Sequence, residues 1–341
     1  MKRFFFLAVA ATAMLAACNK TEVVPVGEAQ EISFVAVNKT ATKTPVEGNV
    51  FKEGDNMAVA AYIVEGASTP GDFFAYTQFS KATGETYWTG NPARYWPLTS
   101  STINFLAVTE TGGDVDNTNI TFPGTNYASS ATVTLANNAV FNQNDLMYAA
   151  GQGSHTQGGA YTAVSMVFKH ALSWINFQVS KADADGYDLV VNSIKLNGAK
   201  YNGTLNLSNG QYNENSAQTT ERVEATWTPD DKVDAVQVPD KNGNGAAPTV
   251  TLTTSYQLFG NGLLVVPGYA DSFTINYTLT QEGGTANTYD YTYTLPAGAT
   301  WEMAKKYFYN ISFDLTEIEV NPSVTDWDAS HVGVNSGVGL N

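Results

Sequence analysis

Cys18 is the single cysteine in 341 residues, and it directly follows Leu15, Ala16 and Ala17. Small residues before a cysteine, at the end of a short apolar run, form the pattern that a bacterial lipoprotein peptidase cuts. The chemistry needs a thiol there, because a diacylglycerol is joined to it through a thioether. Lys2 and Arg3 place positive charge ahead of the run. The run from Phe4 to Ala17 is shorter than the ~20 residues that a membrane-spanning helix needs. Residues 1–17 are therefore expected to be a lipoprotein signal peptide and Cys18 the lipidated residue. The plainer alternative is a cleaved export signal with an incidental cysteine. Each buried CH₂ of an acyl chain contributes about 0.8 kcal/mol, so two or three chains hold a protein on a bilayer almost permanently.

The other residue types capable of chemistry form no such pattern. His155, His170 and His331 are far apart and lack metal-ligand spacing. Gly153-Ser154-His155 does not have the Gly-x-Ser-x-Gly order of a nucleophile elbow. No glycine-rich loop runs into Lys-Ser or Lys-Thr, so no phosphate cradle is indicated. Nothing selects a catalytic pair among the 32 Asp and Glu residues. Asp240-Lys241-Asn242-Gly243-Asn244-Gly245 matches the first half of a calcium loop, but Thr251 stands where the bidentate acid belongs. Asp183, Asp185 and Asp188 around Gly186 make a similar acidic turn. Both read most simply as solvated hairpin turns. Trp88, Trp96, Tyr289 and Tyr291 would suit either a sugar-stacking platform or sandwich cores. The expectation is a protein with no catalytic residues, no metal and no cofactor. The formal charge of −15 argues against nucleic acid as a partner, since phosphate binding needs a basic face. The same acidity suits a soluble, exposed protein.

The elements around the lipidation signal are strands. Glu31-Ile32-Ser33-Phe34-Val35-Ala36-Val37-Asn38 alternates, with Ile32, Phe34 and Ala36 on one face and Val35 and Val37 on the other. A polar stretch follows, Lys39-Thr40-Ala41-Thr42-Lys43-Thr44-Pro45. A trypsin-like protease would cut it between Lys43 and Thr44, with Lys39 and Lys52 as rival sites. The plain reading is a first strand and its connecting loop. Residues 57–64 and 102–108 read as further buried strands. The pattern from Val164 to Trp174 admits a helical reading, and the β-branched and aromatic end from Trp174 to Val179 is strand-like; no long amphipathic helix stands out elsewhere. Near the end, three sets alternate for several residues: Phe273, Ile275, Tyr277 and Leu279; Tyr289, Tyr291, Tyr293 and Leu295; Tyr307, Tyr309, Ile311, Phe313 and Leu315. Such period-two runs predict half-buried antiparallel strands. In the last stretch Val332, Val334, Val338 and Leu340 share a face, with Ser336 in the middle and Gly333, Gly337 and Gly339 opposite. This segment would either complete its own sheet or pair with a groove in another subunit. The class is all-β, as two tandem β-sandwich domains, 18–160 and 161–341, divided at the glycine-rich loop 151–159.

Short motifs in a fixed order resemble the fimbrillin-like lipoproteins of Bacteroides-type bacteria, the subunits of donor-strand-assembled pili. They are Leu15-Ala16-Ala17-Cys18, Ile32-Ser33-Phe34, Thr42-Lys43-Thr44, Arg94-Tyr95-Trp96-Pro97, Asn104-Phe105-Leu106-Ala107 and Asp145-Leu146-Met147-Tyr148-Ala149. Phe168-Lys169-His170-Ala171-Leu172, Leu263-Leu264-Val265-Val266-Pro267 and Val324-x-Asp326-Trp327 complete the series. The resemblance implies two transthyretin-like sandwiches and export to the outer membrane on a lipid at Cys18. It implies a surface protease that removes the strand carrying Ile32, Phe34 and Ala36. A neighbour's segment from 324–341, carrying Val332, Val334, Val338 and Leu340, would then fill the groove. The implied partners are other pilins, including tip or anchor subunits, with a host glycan or protein as an adhesion ligand. The family usually has Arg at the cut, where this chain has Lys43. If uncut, the protein would instead be a non-polymerising surface lipoprotein that binds glycans.

Overall fold

A computed structural model describes residues 30–38, 51, 53–64, 71–98, 101–110, 120–121, 132–139, 143–155, 162–183, 186–209, 224–240 and 246–327. The described residues are all β, with no helix. No helix among them is long and apolar enough to cross a membrane. In chain order the strands are β1 (Ser33–Asn38), β2 (Asn56–Val64), β3 (Gly71–Lys81), β4 (Trp88–Asn91), β5 (Ser101–Thr109), β6 (Ile120–Thr121), β7 (Thr132–Leu135), β8 (Met147–His155), β9 (Val164–His170) and β10 (Ser173–Lys181). They continue as β11 (Tyr187–Asn197), β12 (Gly203–Asn209), β13 (Glu224–Pro229), β14 (Val236–Gln237), β15 (Val250–Thr251), β16 (Gln257–Val265), β17 (Ser272–Gln281), β18 (Asn287–Thr294), β19 (Lys305–Phe313) and β20 (Ile318–Asp326).

The first half closes on itself. Its strands run β1-β4-β3-β2-β5-β8-β9, and β9 pairs back to β1. Met57, Val59 and Ala61 of β2 and Ile103, Phe105 and Ala107 of β5 fill the interior. The alternate residues Ala58, Ala60 and Tyr62, with Leu106 and Val108, are buried too, in a second core outside the barrel wall. Both faces of these strands are covered, so their sequences are nearly continuous apolar runs.

In the second half, the sheet β16-β10-β19-β20 and the sheet β14-β11-β17-β18, with β15 also on β11, enclose a separate core. The three alternating sets lie on β17, β18 and β19, except that Leu295 and Leu315 fall just past the ends of β18 and β19 and Leu315 is exposed; Phe273, Ile275, Tyr309, Ile311 and Phe313 point into that core.

A further sheet, β13-β12-β7-β6, joins the halves. β7 pairs with β12 through Val133↔Leu205 and Leu135↔Gly203. Val133, Leu135, Leu205 and Leu207 cover the outer wall of the barrel together with Trp174, Leu264, Val266 and Trp327. Tyr148 belongs to this middle core, and its hydroxyl reaches Met303 Sδ at 3.4 Å. Burial pushes its phenol up to about 12. In the unfolded chain the phenol ionises near its ordinary value of about 10. The contribution of Tyr148 to stability is therefore intact below pH ~10 and is lost as pH rises from there through about 12. Unfolding midpoints should hold up to about pH 9 and fall steeply above about pH 10, ahead of Tyr148's own tyrosinate absorbance.

Residues 164–174 are not a helix. Val164, Met166, Phe168 and His170 are buried while Ser165, Val167 and Lys169 face outward, the period of a strand. Ala171 and Leu172 then lead into β10. A short apolar run rich in β-branched and aromatic residues satisfies both templates, and pairing on both sides of β9 decides for strand.

Candidate functional site

The strand carrying Ile32 and Phe34 closes the barrel. β1 lies between β4 and β9, antiparallel to the first and parallel to the second. Against β4 it pairs Ser33↔Thr89 and Phe34↔Trp88. Against β9 it pairs five residues, from Phe34↔Val164 to Asn38↔Phe168. Upstream the ladder continues on the segment after β4: Ile32 N–H donates to Arg94 O at 2.7 Å, and Trp96 N–H donates to Gln30 O at 2.9 Å. The Arg94 side chain is itself held. Its Nε and Nη2 donate to Thr77 Oγ1 at 3.1 and 2.8 Å, and the guanidinium lies over the Phe74 ring.

Ile32 and Phe34 are fully buried, and Ala36 is half-buried on the same face. Phe34 sits edge-on between Phe79 and Phe105, with ring centroids at 4.8 and 5.0 Å. Burying side chains of this size contributes about 1.5–3 kcal/mol each. β9 depends on this pairing. Its ladder to β8 covers only Met147↔His170 and Tyr148↔Lys169, whereas its ladder to β1 covers residues 164–168. In place of a ladder, Gly151 and Gly153 let β8 approach β9 and the Trp96 ring closely. A Cβ on Gly153 would stand 2.5 Å from Trp96 Cη2 and 2.8 Å from Val164 Cγ2. Gly153→Ala should lower the unfolding free energy by about 1–3 kcal/mol in urea titration, through overpacking against Trp96 and Val164.

Phe51 holds the two rims together from the far side of the polar stretch. Its ring meets Trp88 of β4 at 5.3 Å and Phe168 of β9 at 5.2 Å, and its carbonyl accepts from Lys81 Nζ at 2.9 Å. β1 and Phe51 are thus two anchored points, and Lys39, Lys43 and Thr44 lie on the chain between them.

One cluster beside this site pairs two residues that the sequence did not link. His170 Nδ1 lies 2.9 Å from Oδ2 and 3.1 Å from Oδ1 of Asp145, and both residues are buried. The imidazole is also stacked on Trp327, at 4.1 Å with planes 10° apart. Trp327 follows β20, and its N–H donates to Ala304 O. The end of β9 is therefore fixed to the place where the chain leaves the last sheet. Asp145 and His170 stand 25 residues apart, so only their presence in two separate short motifs marked them.

Other expected site residues fall differently. Cys18, Lys43, Thr44, Val332, Val334, Val338 and Leu340 lie outside the described residues, as do parts of both acidic turns. Among the described residues no group of three or more His, Cys, Asp or Glu could hold a metal. Val324, Thr325 and Asp326, the first residues of the segment expected as a donor at 324–341, are paired with Tyr307, Lys306 and Lys305 in β20. The four aromatics do not form one platform. Trp88 and Trp96 are buried inside the barrel, whereas Tyr289 is exposed on β18 and Tyr291 packs against the second-half core.

The sequence profile described as fimbrillin-like matches residues 42–327. The chain belongs to the fimbrillin-like family. Among solved structures it is similar in fold to a fimbrial protein from Bacteroides vulgatus, at 17% identity over 87% of this chain and 100% of that one, with a TM-score of 0.61. More distant likenesses include a fimbrial assembly protein from Parabacteroides distasonis (13% identity, 87% of this chain and 98% of that one, TM-score 0.44). Another is the fimbrial anchor protein Mfa2 from Porphyromonas gingivalis (10% identity, 88% and 98%, TM-score 0.39). No curated protein matches the chain. Family membership makes this a fimbrillin-like structural protein and not an enzyme.

Proposed function

We propose that this fimbrillin-like protein is a pilus subunit that polymerises by exchanging β1. It is exported as a lipoprotein, held at the outer membrane through Cys18, and cut by a trypsin-like surface protease between Lys43 and Thr44. Loss of the chain up to Lys43 opens the barrel between β4 and β9. A segment from residues 328–341 of the next subunit, with Val332, Val334, Val338 and Leu340 facing inward, then takes the vacated place. We further propose that the chain works as two units, divided at Ala171 and Leu172, because β9 completes the barrel and β10 begins the second pair of sheets.

The observation that supports this reading is the position of β1. A short N-terminal strand is the piece that closes the barrel, and its removal leaves β9 residues 164–168 without their ladder to β1. A replacement strand restores backbone hydrogen bonds that water would otherwise make, each contributing about 0.5–1.5 kcal/mol. It also covers Phe79, Trp88, Phe105, Met166 and Phe168. Phe51 lies beyond the cut, so the rims stay bridged while the groove is open.

The test is limited trypsin treatment of purified precursor. The expected product begins at Thr44 and forms a ladder of polymers on native gels. A trimmed protein that stays monomeric with residues 328–341 intact would rule out the shaft role.

A further inference from the structure

We propose that Tyr95 and Leu98 form the surface on which the donating subunit docks, and that the donor strand enters the groove at that end. This rests on the strand-exchange reading above.

The groove has two unlike ends. At one end Asn38 pairs with Phe168, and the second half of the same molecule stands directly behind it. His170 is stacked on Trp327, Ala171 O accepts from Trp227 Nε1 at 2.7 Å, and Leu172 O accepts from Ala304 N–H at 3.0 Å. Ala171 and Leu172 are fully buried there. At the other end, where Ile32 meets Arg94 and Gln30 meets Trp96, the bordering segment exposes two large apolar side chains. Tyr95 is 48% and Leu98 58% exposed. Leu98 is the most exposed large hydrophobic residue described.

The tether decides which end is used. Four residues, 328–331, separate Trp327, which is packed into its own subunit, from Val332, the first apolar residue of the donor segment. Fully extended, this tether reaches about 18 Å. The body of the donor must therefore stand against the mouth through which its strand enters. The Asn38 end is occupied by the acceptor's own second half, so the open end receives it. The donor strand then runs in the direction of β1, parallel to β9 and antiparallel to β4. The rims keep the ladder polarity they already have. The donor's body covers Tyr95, a residue type enriched among the anchors of protein interfaces, and the exposed apolar surface of Leu98 beside it.

Two measurements on protein trimmed to Thr44 test this. In the first, an Ala329→Cys donor is mixed with a Leu98→Cys or a Lys169→Cys acceptor under mild oxidation. A covalent dimer is expected with Leu98→Cys; preferential cross-linking to Lys169→Cys reverses the polarity and overturns the proposal. In the second, the Tyr95→Asp/Leu98→Asp variant should take up a synthetic peptide of residues 328–341 as the parent does. Its polymer growth should be slower by about tenfold or more. Growth at the parental rate overturns the docking surface while strand exchange stands. If the parent neither takes up the peptide nor polymerises, strand exchange itself fails, and the docking surface with it.

Discussion

Phe34→Ala lowers the stability of the uncut precursor by about 3–5 kcal/mol and leaves the assembled polymer as stable as the parent's. The precursor effect follows from packing. Phe34 is fully buried, edge-on to both Phe79 and Phe105, on the strand that closes the barrel. Truncation removes the largest side chain that ties this segment to the interior, beside Ile32 and Ala36, and leaves a cavity next to Phe79 and Phe105. Under the proposed exchange residue 34 is no longer part of the polymer, whose stability should therefore not change. The variant should also polymerise faster once cut, since β1 leaves more readily. Urea titrations of precursor and polymer, run side by side, read the difference. An equal loss in both forms means that β1 stays in place, and the exchange account fails.

Trp327→Ala behaves in the opposite way and destabilises precursor and polymer alike, also by about 3–5 kcal/mol. Trp327 is buried in the core between barrel and second half, stacked on His170 and 5.5 Å from the Trp174 ring. Its removal strips the cover from a buried histidine–aspartate pair and empties space that Leu264 and Val266 border. Under the proposed exchange it also loosens the point from which the donor tether would start, so polymer growth should slow as well. Trp327→Phe keeps a ring over His170 and should recover most of both losses. A Trp327→Ala protein with parental unfolding midpoints would show that the two halves do not depend on this core.

The sequence showed the pieces better than their arrangement. Runs such as Phe273, Ile275, Tyr277 and Leu279 are legible because one face is buried and the other is not. The alternation therefore survives in the residue types. The strand around Ile32 and Phe34 was legible for the same reason. That β1 closes a barrel was not, because its longer ladder is parallel to a strand about 130 residues away, and parallel pairing leaves no hairpin turn to read. The pairing of β7 with β12 is hidden likewise, since it crosses between the halves. Residues 164–174 misled in another way. Buried on one face and flanked by strands on both edges, they carry the apolar density that a buried helix would also show. Trp88 and Trp96 drew attention as a binding platform, whereas their bulk fills the barrel beside Phe51 and Phe105. His170 and Asp145 gave no pattern, because a two-residue contact across 25 positions has no period.

N-terminal sequencing of the protein stripped from the cell surface, beside its intact mass, tests the displacement of β1 most directly. Polymeric subunits should begin at Thr44, carry no lipid and lack Ile32 and Phe34. Polymers whose subunits retain Cys18 with its lipid, and the chain through Lys43, would contradict it.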